Sequence, residues 1–245
     1  MWPFTKRKTL ADIDAFQGFA DHHSHLLPGV DDGFRTMDET LRALKAYEKQ
    51  GVAQVWFTPH VMEDYPNETE KLRHLFEKVK SEYAQVAGDN PLQLHLGAEY
   101  MLDTVFAERL AADDLLVLDE DRHLLVETSY FNPPAGLRDI LADIAAAGYR
   151  PVLAHPERDV YMDEDEYDEL HAMGVKFQLN LASPTGAYSP EAARNAEMLL
   201  KKGYYDLAGT DMHRLRSTRA VLAHPISTST LSRISDLIQK QNKHI

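Results

Sequence analysis

The chain has 245 residues, of which 44% are hydrophobic and 27% are charged, so it is long enough to bury a substantial core. Its 26 Lys and Arg against 39 Asp and Glu leave a formal net charge of −13, which opposes nucleic acid as a partner because phosphate binding depends on basic residues. The absence of cysteine excludes a disulfide framework, a thiolate zinc site and any mechanism that needs a cysteine nucleophile.

Apolar, strand-like runs alternate with segments of helical periodicity along the whole chain. The predicted strands are 19–23, 52–58, 92–98, 123–128, 151–155, 175–181 and 206–210. The predicted helices are 38–50, 68–86, 105–112, 137–147, 164–173 and 190–201. This alternation indicates a parallel sheet. We predict one α/β domain over residues 18–245, preceded by an N-terminal tail over residues 1–17.

The ends of the predicted strands carry residues that can ligate metals. They lie in seven short segments: 21–25, 31–33, 58–60, 97–99, 126–127, 154–158 and 210–213. Side chains alternate faces along a strand, so His23 and His25 point the same way, as do Asp211 and His213. In a parallel barrel the carboxyl ends of all strands converge on one mouth, whereas an open sheet spreads them along an edge. Seven strands with one shared mouth predict a distorted (β/α)7, TIM-like barrel.

Five short motifs carry a family resemblance. They are DHHSHLLPGVDDG at 21–33, TPH at 58–60, GAE at 97–99, HPER at 155–158 and DMH at 211–213. In this order they resemble the polymerase and histidinol phosphatase (PHP) superfamily. Within it, the chain is most similar to the bacterial metal-dependent protein-tyrosine phosphatases linked to capsular and exopolysaccharide synthesis. His-x-His alone occurs in many hydrolases, but the ordered set is specific.

The resemblance implies three adjacent metal sites. The first ion would be bound by His23, His25, Glu99 and Asp211, the second by Glu99, Glu127 and His155, and the third by Asp32, His60 and His213. Glu99 would therefore bridge two ions. Independently, five imidazoles and four carboxylates without a thiolate suit Mn, Fe or Zn, and Mn is our first choice.

Some of the acidic residues allow a structural interpretation instead. Asp31 and Asp32 precede a glycine and are typical turn formers; we favour that role for Asp31 and assign Asp32 as a ligand through the resemblance alone. Glu127 could be a buried carboxylate satisfied by backbone donors, but it follows an apolar run, where burial without a cation is costly. His22 faces away from its neighbour His23 and is predicted to be structural.

The expected reaction is hydrolysis of a phosphomonoester. A hydroxide held between two metals would attack phosphorus in line. Tyrosyl phosphate departs as a phenolate with a pKa of about 10, so its leaving oxygen needs less protonation than that of an alkyl ester. His60 and His213 are the candidate groups for assisting this proton transfer.

Phosphate binding requires cations in addition to the metals. Arg158, three residues past His155, is the best candidate for a guanidinium that binds phosphate oxygens. The alternative is a salt bridge to one of its two acidic neighbours. The resemblance implies a second arginine a few residues after the final Asp-x-His motif, where we rank Arg219 ahead of Arg214 and Arg216.

Three functions remain open at this point. The resemblance implies a tyrosine phosphatase whose substrate is a phosphotyrosine protein, namely a membrane-associated bacterial tyrosine kinase of polysaccharide synthesis. No apolar stretch reaches the roughly 20 residues that span a bilayer, so we expect no transmembrane segment. We expect a cytoplasmic protein that its partner holds at the inner face of the membrane.

The alternatives to a tyrosine phosphatase are a small-molecule phosphatase of histidinol-phosphate type and a noncatalytic, metal-bound regulatory scaffold. The scaffold predicts eroded ligands, yet none of the nine is missing.

Overall fold

The computed structural model describes residues 7–13 and 15–242. Its strands are β1 (Arg7–Lys8), β2 (Ala20–Asp21), β3 (Gln54–Phe57), β4 (His60–Val61), β5 (Gln93–Leu96), β6 (Glu99–Met101), β7 (His123–Glu127), β8 (Arg150–Ala154), β9 (Lys176–Asn180), β10 (Tyr205–Gly209) and β11 (Ile226–Ser227). Its helices are α1 (Met37–Gln50), α2 (Thr69–Ala84), α3 (Thr104–Ala111), α4 (Leu137–Ala146), α5 (Glu164–Ala172), α6 (Pro190–Lys202), α7 (Leu215–Ala223) and α8 (Thr228–Gln241).

Two parallel sheets form the centre of the molecule. One has six strands in the order β10, β9, β8, β7, β6, β4, and the other has three in the order β2, β3, β5. A separate antiparallel pair joins β1 to β11, with Lys8 opposite Ile226. The prediction of a single α/β domain with parallel strands is confirmed. Within the residues that the structure describes, the two parallel sheets do not join into one closed ladder, so the sequence-based barrel is not reproduced as a continuous sheet.

The reason lies just past two of the predicted strands, where the chain starts a further short strand in the other sheet. The predicted strand 52–58 corresponds to β3, and the ladder is interrupted at 58–59 before β4 begins, because Pro59 has no amide hydrogen to donate. The predicted strand 92–98 ends at Leu96, and the chain resumes pairing at Glu99. Between them, a Cβ on Gly97 would lie 3.0 Å from Leu118 Cδ2, so the backbone passes close to a neighbour here. Each break moves the chain from the three-stranded to the six-stranded sheet.

The sheets also meet between β2 and β10, a junction that we call the seam. Just past the ends of these strands, Asp211 N donates to His23 O at 2.9 Å. At the start of β2, the Gln241 side chain donates to Ala20 O at 2.8 Å and accepts from Ala208 N at 2.6 Å. Backbone atoms therefore join one end of the seam, and a side chain of α8 joins the other.

The helices pack on these sheets through their apolar faces. Helix α1 begins with a capping box, in which Glu39 N donates to the Thr36 hydroxyl at 3.3 Å and the Glu39 carboxylate accepts from Thr36 N at 3.2 Å. It ends at Gly51, whose φ of 79° is accessible without strain to glycine. All six predicted helices are present, whereas α7 and α8 were not predicted. Across the described ranges, no helix combines the length and apolar character needed to cross a membrane.

The N-terminal segment adds to the same core. Leu10 is fully buried and Phe16 is 4% exposed, and the Phe16 ring meets that of Phe19 edge-on with centroids 5.4 Å apart. Residues 1–6 and 14 of the predicted tail lie outside the described residues. The described part of that tail thus includes side chains that pack on the domain, and burial of each large apolar side chain contributes about 1.5–3 kcal/mol.

Candidate metal centre

The predicted ligands lie near the carboxyl ends of β2, β3, β5, β7, β8 and β10. His23 and His25 follow β2, while Glu127 is the last residue of β7. His60 and Glu99 are the first residues of β4 and β6, just past the two strand breaks. The others lie beyond the ends of β8 and β10 or in the loop after β2: His155, Asp211, His213 and Asp32. Because parallel strands end at a common edge, these side chains converge, and the structure brings all nine into one cluster.

Glu99 lies at the centre of the cluster and is fully buried. Its Oε2 atom is 3.1 Å from His23 Nε2, 3.3 Å from His25 Nε2 and 3.1 Å from His60 Nδ1. Its Oε1 atom is 2.9 Å from His155 Nε2. Burial alone would raise the pKa of Glu99, but the positive charge of the facing histidines outweighs burial and holds that pKa well below its ordinary value.

Asp211 forms a second point of convergence. Its Oδ1 atom lies 3.5 Å from His23 Nε2, 3.3 Å from His25 Nε2 and 3.3 Å from His213 Nδ1. Burial lowers the pKa of His23, but the carboxylates of Glu99 and Asp211 outweigh this effect and raise the pKa to about 9. The electrostatic potential in this part of the cluster is therefore negative and favours bound positive charge.

The outer part of the cluster is closer to solvent. His60 Nδ1 is 3.0 Å from Glu127 Oε1, and His60 Nε2 is 3.6 Å from Asp32 Oδ1. Asp32 Oδ1 also lies 3.3 Å from His213 Nε2, and this hydrogen bond lowers the pKa of Asp32 to about 2. The Asp32 side chain is 55% exposed, against 3% for Glu127. This outer group is the part of the cluster that a substrate in solution reaches first.

Two side chains orient the innermost histidines. Gln178 Oε1 lies 2.8 Å from His23 Nδ1, and Asp31 Oδ2 lies 2.8 Å from His25 Nδ1. Both oxygens accept hydrogen bonds, so the Nδ1 atoms act as donors and the Nε2 atoms face the cluster. A carboxylate or carbonyl behind the imidazole is the usual arrangement for a histidine that binds a metal. Asp31 also accepts from Gly33 N at 2.9 Å, so the predicted turn role is present alongside this second contact.

The cluster fits a set of divalent cations. Glu99 Oε2, Asp211 Oδ1 and His60 Nδ1 are buried without a hydrogen bond, although buried polar atoms almost always have a partner. Ligand atoms in four groups lie within 4.8 Å of one another: His23, Glu99 and His155; His23, His25 and Asp211; His60, Glu99 and Glu127; and His25, Asp32, His60 and His213. Nitrogen and carboxylate oxygen donors in these combinations suit Mn, Fe or Zn.

Arg158 borders the cluster. Its Nη1 atom is 2.9 Å from Asp211 Oδ2, and its guanidinium carbon lies 4.3 Å from the centre of the Tyr130 ring and 3.9 Å from that of Tyr188. The alternative ion pairs with its acidic neighbours do not form: Glu157 accepts from the Tyr205 hydroxyl, and Asp159 accepts from the Thr128 hydroxyl. Two aromatic faces and one carboxylate thus hold the guanidinium beside the ligands.

For Arg219, the second predicted phosphate-binding arginine, the structure describes only the position of the backbone. Arg219 lies within α7, and its side chain is outside what the structure describes. Its role stays a prediction.

Comparison with known proteins places the chain in a family. A family model described as capsular polysaccharide synthesis, CpsB/CapC, matches residues 19–232. The chain belongs to the CpsB/CapC family. It is 30% identical over 207 residues to the tyrosine-protein phosphatase CpsB of Streptococcus pneumoniae, covering 80% of this chain and 84% of that protein. It is 25% identical over 200 residues to the tyrosine-protein phosphatase YwqE of Bacillus subtilis, covering 80% and 78%.

A solved structure agrees with this family assignment at the level of the fold. The match is to crystal structures of YwqE from Bacillus subtilis and CpsB from Streptococcus pneumoniae, described as unique metal-dependent tyrosine phosphatases. The TM-score is 0.78 at 22% sequence identity, and the alignment covers 91% of this chain and 92% of the other. The CpsB/CapC chain described here therefore shares the fold of those proteins over nearly its full length.

Sequence reasoning missed the residues that support the ligands. Gln178 was not singled out, although a polar residue within the predicted strand 175–181 was a usable signal. Asn180 donates to Asp211 Oδ2 at 2.8 Å and to the Tyr188 hydroxyl at 2.9 Å, and no motif pointed to it. His22 was predicted to be structural, and its ring stacks on Trp56 with centroids 4.3 Å apart.

Proposed function

We propose that this CpsB/CapC family chain is a metal-dependent protein-tyrosine phosphatase, a phosphoric monoester hydrolase. The observation that carries the proposal is the convergence of five imidazoles and four carboxylates around Glu99, with the guanidinium of Arg158 at the edge of the cluster. Relatives named as tyrosine-protein phosphatases support the same activity.

Three divalent ions are proposed, with Mn as first choice and Fe or Zn as alternatives. The proposed ligand sets are His23, His25, Glu99 and Asp211; Glu99, Glu127 and His155; and Asp32, His60 and His213. Each set contains a short distance: 3.3 Å from His25 Nε2 to Asp211 Oδ1, 2.9 Å from His155 Nε2 to Glu99 Oε1 and 3.3 Å from His213 Nε2 to Asp32 Oδ1. His60 is also close to the second set, with its Nδ1 atom 3.0 Å from Glu127 Oε1, so its place in the third set rests on the sequence resemblance. When bound, such ions supply a water-derived nucleophile near neutral pH and neutralise charge on phosphoryl oxygens.

The chain's own residues then position the substrate. Arg158 presents donors to the phosphoryl oxygens, because its planar guanidinium binds two of them at once. Its place between Tyr130 and Tyr188 restricts its rotation, so little conformational freedom is lost on binding. Between the two histidines proposed to assist the leaving oxygen, His213 has the more accessible side chain, at 26% exposure against 13% for His60.

We further propose that the two parallel sheets are parts of one distorted seven-stranded barrel. The backbone bond from Asp211 N to His23 O and the parallel bridge between Ser24 and Met212 support closure at the seam. The domain boundary near residue 18, a membrane-associated tyrosine kinase as the phosphotyrosine partner, and a cytoplasmic location at the membrane face likewise stand as proposals from the sequence.

Arg158→Ala should lower kcat/KM by about 10- to 1000-fold, equivalent to about 1.4–4 kcal/mol, while the bound metals are retained. The physical reason is the loss of a preorganised cation for the charge that develops on the phosphoryl group. Arg158→Lys should recover only part of the activity, because an ammonium lacks the planar fork. Steady-state kinetics, metal content and thermal unfolding should be measured on both variants.

The matched control is Arg138→Ala. Arg138 is an exposed arginine outside the cluster, and its Nη2 atom lies 2.8 Å from Glu166 Oε2. This substitution should leave kinetics unchanged. Normal kinetics of Arg158→Ala with a full metal complement and a lowered melting temperature would remove Arg158 from the catalytic set.

A comparison of substrates tests the proposed function itself. With metal-loaded protein, kcat/KM for a phosphotyrosine peptide should exceed that for histidinol phosphate or a phosphoserine peptide by at least about 100-fold, because an alkyl leaving group depends more on proton transfer than a phenolate does. A preference for histidinol phosphate would favour the small-molecule phosphatase. No hydrolysis of any of these substrates would favour the noncatalytic scaffold.

A further inference from the structure

A cavity lies directly beside the candidate metal centre. It has a volume of about 220 Å³, and His213 forms part of its wall. Three arginines also line it: Arg35, Arg42 and Arg214. We call it the arginine cavity. Because His213 belongs both to this wall and to the ligand cluster, the two places are adjacent, as binding of one extended ligand to both would require.

The charge of the arginine cavity is opposite to that of the protein as a whole. Three arginines and one acidic residue, Glu39, line it, within a chain of net charge −13. The Glu39 carboxylate accepts from Arg35 N at 3.0 Å and from Thr36 N at 3.2 Å, so it is committed to the start of α1. With Asp38, which pairs with Arg42, also counted, the three arginines leave an excess of one positive charge for a ligand.

The arginines themselves are held only weakly by other groups. Arg42 pairs with Asp38, but the two side chains are 70% and 68% exposed, and such surface ion pairs contribute little to stability. Within the described part of the chain, Arg35 and Arg214 form no ion pair. Arg214 is also the residue before α7, and its side chain makes no capping bond to that helix, so the amides of the first turn add to the positive potential.

We propose that the arginine cavity binds a second anionic group of a phosphotyrosine substrate, a carboxylate or phosphate on a residue near the phosphotyrosine. This inference rests on the function proposed above and names the kind of peptide that the site selects. Arg158, proposed to bind the phosphoryl group that is hydrolysed, does not line this cavity. The two anions of the substrate thus have separate binding groups.

The test compares matched peptides with one phosphotyrosine each, flanked by Glu or by Gln, together with a doubly phosphorylated peptide and p-nitrophenyl phosphate. For the wild-type chain loaded with Mn, kcat/KM for the Glu-flanked peptide should exceed that for the Gln-flanked peptide about five- to tenfold at low ionic strength. Comparison of kcat/KM for the doubly phosphorylated and the Glu-flanked peptide shows whether the cavity prefers a phosphate or a carboxylate, since a phosphate carries the larger charge.

The double variant Arg35→Gln/Arg42→Gln should lose this preference, mainly through KM, and keep wild-type rates on p-nitrophenyl phosphate. Arg73→Gln is the matched control, because Arg73 is 54% exposed on α2 and pairs with Glu70 at 3.8 Å. Equal rates on Glu- and Gln-flanked peptides, or a preference that survives in the double variant, would overturn the inference. A wild-type chain that hydrolyses no phosphotyrosine substrate would contradict the proposed function as well, so the two failures are distinguishable.

Discussion

Exhaustive chelation of divalent ions is expected to abolish phosphotyrosine hydrolysis by this chain, and added Mn²⁺ is expected to restore it. The sequence has no cysteine to act as a nucleophile, and the nine proposed ligands are imidazoles and carboxylates that face one another. Without metal ions, nothing in this cluster lowers the pKa of water, and Arg158 at its edge cannot by itself replace the charge that two or more divalent ions would supply to the phosphoryl group. A fall of at least about 1000-fold in kcat is therefore expected.

The measurement is turnover against metal content in protein that has been stripped and then refilled separately with Mn, Fe or Zn. Circular dichroism of the stripped protein is the control for unfolding. Full turnover in chain that retains its fold but holds no metal would exclude the proposed mechanism. The order of activity among the three refilled samples tests the choice of Mn.

Glu99→Gln is expected to remove at least one ion and to lower kcat by about 1000-fold or more. The amide has the size of the carboxylate, so the core stays filled. It lacks the charge, and one of its two positions becomes a donor facing histidines that require an acceptor or a cation. Metal content by mass spectrometry and steady-state kinetics check the result.

Glu157→Gln is the matched control for this substitution. Glu157 is 1% exposed, comparable to Glu99, but burial raises its pKa, and it contacts the Tyr205 hydroxyl at 2.9 Å and Asn180 N at 3.1 Å rather than the histidine cluster. An uncharged replacement should therefore be tolerated, with the metal content unchanged. If Glu99→Gln kept the wild-type metal content and rate, Glu99 would not be a bridging ligand.

Local sequence signals account for most of the helices and strands. Helix α1 was predictable because its cap, its apolar spacing and the terminating Gly51 agree with one another. Helix α8 was missed although Leu231, Ile234, Leu237 and Ile238 are buried at helical spacing, so its signal was present in the sequence. The short strands β4 and β6 were not predicted, because runs of two and three residues are too short to show the alternation that indicates a strand.

In the candidate site, too, some residues could be predicted from the sequence and others could not. Eight of the nine ligands stand in the five short motifs that carry the family resemblance, and Glu127 was recognised by its place after an apolar run. The contact between Gln178 and His23 joins residues 155 positions apart, and it exists only because β9 and β10 bring the glutamine behind the histidine. Asp31 was interpreted as a turn former, which its bond to Gly33 N supports, but its second oxygen contacts His25. Such roles depend on tertiary packing rather than on local pattern.

The seam between β2 and β10 links the proposed chemistry to the integrity of the fold. His23 and His25 lie on the β2 side of it and Asp211 on the β10 side, so an ion bound by all three would tie the two sheets together. Gln241 joins Ala20 to Ala208, and the backbone bond from Asp211 N to His23 O joins the metal end, so the seam already has its own contacts. An ion that binds this closed form in preference to an open one would stabilise closure further. Scarcity of metal in the cell would thus yield a looser protein, more accessible to proteases, in addition to an inactive one.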